Sequence, residues 1–228
     1  MLTTLSNAFW LARRQMRDQW LAYLLTFGYF AFMGGVLGSG EQVVSEFAHL
    51  VLMLILIQAT LASRYMSWKE DNEVIRQQVF VRSLPFPIRT TIIARLIALL
   101  CAGLINIPVY FGMLWYAGDY GLTAGQFVAW SAFWVGMALV GAGIALIQEF
   151  WLSLTKWTAL NFALVLGIAA VLPLAIWVFD FRPFRDSLAQ AAETPLLLAT
   201  IGLAIGVIGL VAGVLLAERM YRKREFVI

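Results

Sequence analysis

Charged side chains are scarce in this sequence. Only 13% of its 228 residues are Asp, Glu, Lys or Arg and 62% are hydrophobic, against about 25% charged in an ordinary soluble domain. That balance excludes a water-soluble globule and defines an integral membrane protein. There is one cysteine, Cys101, so no intramolecular disulfide can form; inside an apolar run it reads as a small packing residue. The one histidine, His49, sits near one end of an apolar run, where a structural or interfacial role fits it better than proton handling. With so few nucleophiles and ligands, and no His-Glu-x-x-His or Gly-x-Ser-x-Gly pattern, no catalytic set and no metal site is found. A phosphate-binding Gly-x-x-x-x-Gly-Lys-Ser/Thr loop is also missing, because the glycines at 34–40 lack the lysine and hydroxyl ending.

What is present is a series of apolar runs. Six are long enough to cross a hydrocarbon core of about 30 Å at about 1.5 Å per residue, at residues 20–38, 46–63, 91–117, 126–147, 158–179 and 195–217. The fold class predicted is therefore all-α, a polytopic membrane protein forming a single transmembrane domain over 1–228. Residues 1–19 precede the first span. There Leu2, Leu5, Phe9, Ala12, Met16 and Trp20 recur at helical spacing while Arg13, Arg14 and Arg17 take other faces, the pattern of an amphipathic interfacial helix. A signal peptide with a basic start is the alternative; the length and patterning of this segment favour the interfacial helix.

The net charge of +3 is explained by topology rather than by nucleic acid. With six spans, all basic residues except Arg182 and Arg185 fall on one side, which the positive-inside rule makes cytoplasmic. Both termini, including the tail 218–228, then lie in the cytoplasm of a cell whose cytoplasmic membrane holds the protein. Tryptophans agree with these boundaries: Trp20, Trp68, Trp151 and Trp157 sit near inner span ends, Trp115, Trp130 and Trp177 near outer ones, and Trp134 lies one turn deeper.

Several features within the spans concern packing. Gly202, Gly206, Gly209 and Gly213 follow a four, three, four spacing on one face of the last span, a small-residue face that admits a close neighbour. Gly136, Val140, Gly141 and Gly143 repeat it more weakly in the fourth. Asn106 and Pro108 in the third span, with Asn161 and Pro173 in the fifth, are the candidates for a translocation pathway, since proline frees a backbone carbonyl; a bend absorbed by neighbouring helices is the plain alternative. On the outer side, residues 181–193 form a short helix at or in the membrane surface, with Arg182 and Arg185 paired locally to Asp180 and Asp186.

The one long polar interruption lies between the second and third spans. Residues 67–82 can form a helix with Glu70, Asp71 and Glu73 at its start and Arg76 and Arg82 later, which complements the helix dipole. Ser83, Leu84, Pro85, Phe86 and Pro87 stop it, because proline lacks an N–H and biases its predecessor away from the helical region. The segment reads as a helix lying at a membrane face and presented to something outside the bilayer.

This layout, with Glu70-Asp71 followed by Gln78, Phe80, Arg82-Ser83-Leu84-Pro85 and then Ile92, Ile93 and Arg95, resembles the membrane subunits of ATP-binding-cassette exporters of the ABC-2 type. Topology carries the resemblance over the whole chain; residues 70–95 carry it in sequence. Where many members have Glu-Gly-Thr, this chain has Asp71-Asn72-Glu73. The resemblance implies a permease half that pairs with a second half, as homodimer or heterodimer, and a separate ABC ATPase that binds ATP and Mg²⁺, leaving no cofactor on this chain. Residues 67–82 would be the coupling helix between spans 2 and 3. Glu70, Asp71, Glu73, Val74, Arg76, Gln78, Phe80, Ser83, Leu84 and Pro85 would be its ATPase-coupling residues, the acids meeting basic groups and Val74 or Phe80 serving as apolar anchor. The sparse polar content of the spans fits an amphipathic or hydrophobic cargo. A self-contained channel or ion-coupled carrier is the competing class, although the acids Asp119, Glu149, Asp180 and Glu218 sit at span ends rather than within spans.

Overall fold

The computed structural model describes residues 2–18, 20–38, 49, 52, 87–151, 160, 163, 166–167, 170–171, 174–175, 178–180 and 182–223. Among the described residues the chain is helical without strands. Its helices are α1 (Leu2–Asp18), α2 (Trp20–Gly38), α3 (Ile88–Ala117), α4 (Ala124–Trp151), α5 (Pro183–Glu193) and α6 (Pro195–Lys223). Three of these are long and apolar enough to cross a membrane: α3, α4 over Ala124–Gln148, and α6 over Pro195–Met220; α2 carries a shorter apolar stretch, Tyr23–Gly38.

Local chemistry sets the helix ends. The turn from α3 to α4 closes when Asp119 Oδ1 accepts the Gly121 N–H at 3.2 Å, with Gly121 at φ +63°, a region glycine enters without a Cβ penalty. Thr123 then caps α4. Its N–H and hydroxyl donate to Gln126 Oε1 at 2.8 and 2.9 Å, and the Gln126 N–H returns a bond to the Thr123 hydroxyl at 3.4 Å, a reciprocal capping box. Pro183 opens α5 at a position where the missing N–H is no loss. The helices run past the ends of the apolar runs. α3 begins at Ile88 rather than 91, α4 spans 124–151 rather than 126–147, and α6 continues six residues past 217, through the segment read as a tail. Backbone hydrogen bonding has no reason to stop where the apolar residues do.

Two pairs of helices run side by side in the same direction. In the first, the Tyr23 hydroxyl of α2 donates to the Ala98 carbonyl of α3 at 3.3 Å. Further along, a Cβ built on Gly34 would stand 2.7 Å from the Tyr110 carbonyl oxygen, and one on Gly38 would stand 2.8 Å from Ala117 Cβ. In the second, α6 lies on α4 along the most extensive contact among the described helices. A Cβ on Gly206 would stand 2.6 Å from Gly136 Cα, and one on Gly209 2.8 Å from Val140 Cγ2. Gly202 abuts Phe133 and Gly136, and Gly213 abuts Gly143. Close backbone approach of this kind replaces the missing hydrophobic drive between helices in lipid.

The two pairs meet at their ends. α3 and α4 run antiparallel, bringing Phe111 and Trp115 onto Phe127 with ring centroids 6.4 and 4.8 Å apart. At the opposite end Arg89 of α3 meets Glu218 of α6. α1 packs there too, with Ala8, Leu11 and Ala12 buried against Ala94, Ile93 and Ile97 of α3.

Candidate functional site

The described part of the bundle has a basic end and an aromatic end. At the basic end α1 exposes Arg13, Arg14 and Arg17, with the Arg14 guanidinium 5.8 Å from the centre of the Trp10 ring. Of the apolar stripe read from sequence, Ala12 is buried while Leu5 and Phe9 are exposed; Ala8 and Leu11 join Ala12 against α3. The same end holds the Glu218 carboxylate between two guanidinium groups. Arg89 Nε donates to both of its oxygens at 3.0 Å, and Arg222 Nη2 donates to Oε1 at 2.6 Å.

The aromatic end is built around α5. Phe184 points into a group formed by His49, Tyr120, Trp130 and Trp134, with ring centroids 3.8, 6.3, 4.9 and 6.4 Å away. One turn on, the Ser187 hydroxyl accepts indole N–H groups from Trp130 at 2.9 Å and Trp134 at 3.3 Å and donates to the Phe184 carbonyl at 2.7 Å. That uses its hydrogen-bonding capacity in full. Gln126 Nε2 donates to the Ala192 carbonyl at 2.9 Å, fastening the far end of α5 to the start of α4. The result is a plug tied to α4 along its length.

Among the described residues, His49 Nε2 and the Tyr120 hydroxyl in the plug have no hydrogen-bond partner. His49 Nδ1 shares a hydrogen bond of 3.3 Å with the Tyr110 hydroxyl. Tyr120 lies in the turn between α3 and α4, and burial pushes its hydroxyl pKa up to about 12, so it remains neutral under physiological conditions.

The candidate residues from sequence fall in different places. Gly202, Gly206 and Gly213 are buried in the seam with α4 and Gly209 is half-buried there. Asn106 is buried and Pro108 exposed, so the two do not share a face of α3. Arg182 Nε pairs with Asp180 Oδ1 at 2.7 Å, and the Arg182 N–H donates to Asp186 Oδ2 at 3.2 Å. Asn161, Pro173 and all the coupling candidates, Glu70, Asp71, Glu73, Val74, Arg76, Gln78, Phe80, Ser83, Leu84 and Pro85, lie outside the described residues, as does the predicted helix 67–82. Sequence reasoning missed the Phe184 and Ser187 contacts and the Arg89–Glu218 pair. Trp130 and Trp134, one helical turn apart, were the available signal for the first, and Glu218 with Arg222 at the same spacing for half of the second.

The chain belongs to the ABC-2 family of transporter proteins, whose family model matches residues 9–222. It is thus a membrane component of a transport system rather than an enzyme. No curated protein and no solved structure matches it.

Proposed function

We propose that this chain is the permease subunit of an ABC exporter, forming the translocation pathway with a second half and driven by a separate ATPase through residues 67–82. Family membership over residues 9–222 is the observation that carries the reading. The absence of a Walker A sequence from all 228 residues adds to it, since ATP must then be bound elsewhere.

The helix directions support six crossings with both termini in the cytoplasm. α2 and α3 run parallel, so the chain between them has to return across the membrane, which residues 46–63 are long enough to do. The same parity applies between α4 and α6, where residues 158–179 would make the return. On this topology the basic end is cytoplasmic, next to the segment that engages the ATPase, and the α5 plug closes the outer end. ATP-driven closure of the partner would displace 67–82 and shift the permease between inward-open and outward-open states. The exposed apolar faces of α2 and α6 suit lipid and a second permease half, and a pathway with few polar groups suits an amphipathic or hydrophobic cargo.

Purification in mild detergent tests the proposal. The expected result is retention of a chain that carries a Walker A motif, with flux in proteoliposomes that depends on ATP. Flux through the isolated chain without any ATPase would instead establish a channel or carrier.

A further inference from the structure

We propose that Glu218 is a positioning residue that carries the movement of the coupling segment from α3 to α6, an inference that rests on the ABC permease reading above. Arg89 is the second residue of α3. Only residues 83–87 separate that helix from the predicted segment 67–82, and two of the five are Pro85 and Pro87, whose fixed φ makes the connection stiff. A displacement of the segment therefore arrives at the first turn of α3.

At that turn one carboxylate links α3 to α6. The Glu218 side chain is 12% exposed, while Arg89 and Arg222 are 68% and 61% exposed, so the acid is the sheltered centre of the clamp and the arginines are its outer arms. An isolated exposed pair would contribute little. This one has a carboxylate held by both oxygens to Arg89 and by one to Arg222, from two different helices, and such charge-assisted geometry fixes position as well as energy. α6 is locked to α4 by the glycine seam, and α4 to α5 by Ser187 and Gln126. Movement that reaches Glu218 thus reaches the outer plug. Among the described residues, α3 meets α4 and α6 far less extensively than α6 meets α4.

Neutralising the acid leaves Arg89 and Arg222 facing each other without a counter-charge. In the reconstituted complex with its ATPase, Glu218→Gln should keep the ATPase bound and hydrolysing while transport per ATP falls about fivefold or more, the lower range of typical coupling effects. Arg89→Gln, at an exposed position, should give the same loss and serves if the first variant does not fold. Reversing all three charges, Arg89→Glu with Glu218→Arg and Arg222→Glu, should recover most of the coupling. The inference is overturned if Glu218→Gln or Arg89→Gln transports as many molecules per ATP as the parent, or if the reversed triad assembles normally and stays uncoupled. If no ATPase binds the parent protein, it is the permease reading that fails, independently of these variants.

Discussion

The imidazole of His49 stands edge-on to the ring of Phe184, with 3.8 Å between ring centroids and an interplanar angle of 81°. His49 belongs to the predicted second span and Phe184 to the short helix before α6, so this contact ties two distant parts of the chain at the aromatic end. Phe184→Ala would empty the middle of the plug. Large-to-small changes of a buried phenylalanine cost about 3–5 kcal/mol, and a lower unfolding midpoint in detergent is expected, with tryptophan fluorescence shifted because Trp130 and Trp134 lose their neighbour.

Ser187→Ala probes the same plug by its polar node. The substitution removes the acceptor of two indole N–H groups and leaves them buried without partners, a loss of about 1–3 kcal/mol. Ser187→Thr keeps the hydroxyl and should restore most of the difference. Thermal unfolding of the three proteins in one detergent checks the order.

Glycine substitutions should divide by their surroundings. At Gly206 a Cβ would stand 2.6 Å from Gly136 Cα, so Gly206→Ala forces α6 off α4 and should destabilise by about 1–3 kcal/mol, as overpacking does. Nothing lies within 4 Å of a Cβ at Gly28. There alanine only improves helix propensity, by about 1 kcal/mol, and Gly28→Ala should match or exceed the parent in stability.

Legibility in the sequence followed the kind of physics involved. Gly202, Gly206, Gly209 and Gly213, which share a spacing legible in the sequence, lie in the seam against α4. In α1, Leu5 and Phe9 are exposed while Ala8, Leu11 and Ala12 make the contact with α3, a pairing that the apolar stripe of the sequence does not specify. Arg89 with Glu218, and His49 with Phe184, join residues whose separation along the chain carries no periodic signal. Only the folded arrangement reveals them.

Tyr120 supplies a dependence on pH. Its buried hydroxyl titrates near 12 in the folded protein, against about 10 when unfolded, so the unfolded state releases its proton first. The contribution is constant below pH 10 and stability falls as pH rises from there toward 12. Tyr120→Phe removes that part of the decline. Because the hydroxyl has no hydrogen-bond partner among the described residues, the variant should also be no less stable than the parent at neutral pH. Unfolding measured from pH 7 to 12 for both proteins gives the comparison.

The central claim, that a partner drives this bundle through residues 67–82, is tested most directly by replacing Glu70, Asp71 and Phe80 together and measuring ATPase association and ATP-dependent transport on the correctly inserted protein. The account predicts that the ATPase dissociates or that transport stops while the bundle itself remains folded. Association and transport both at the parent level would contradict it.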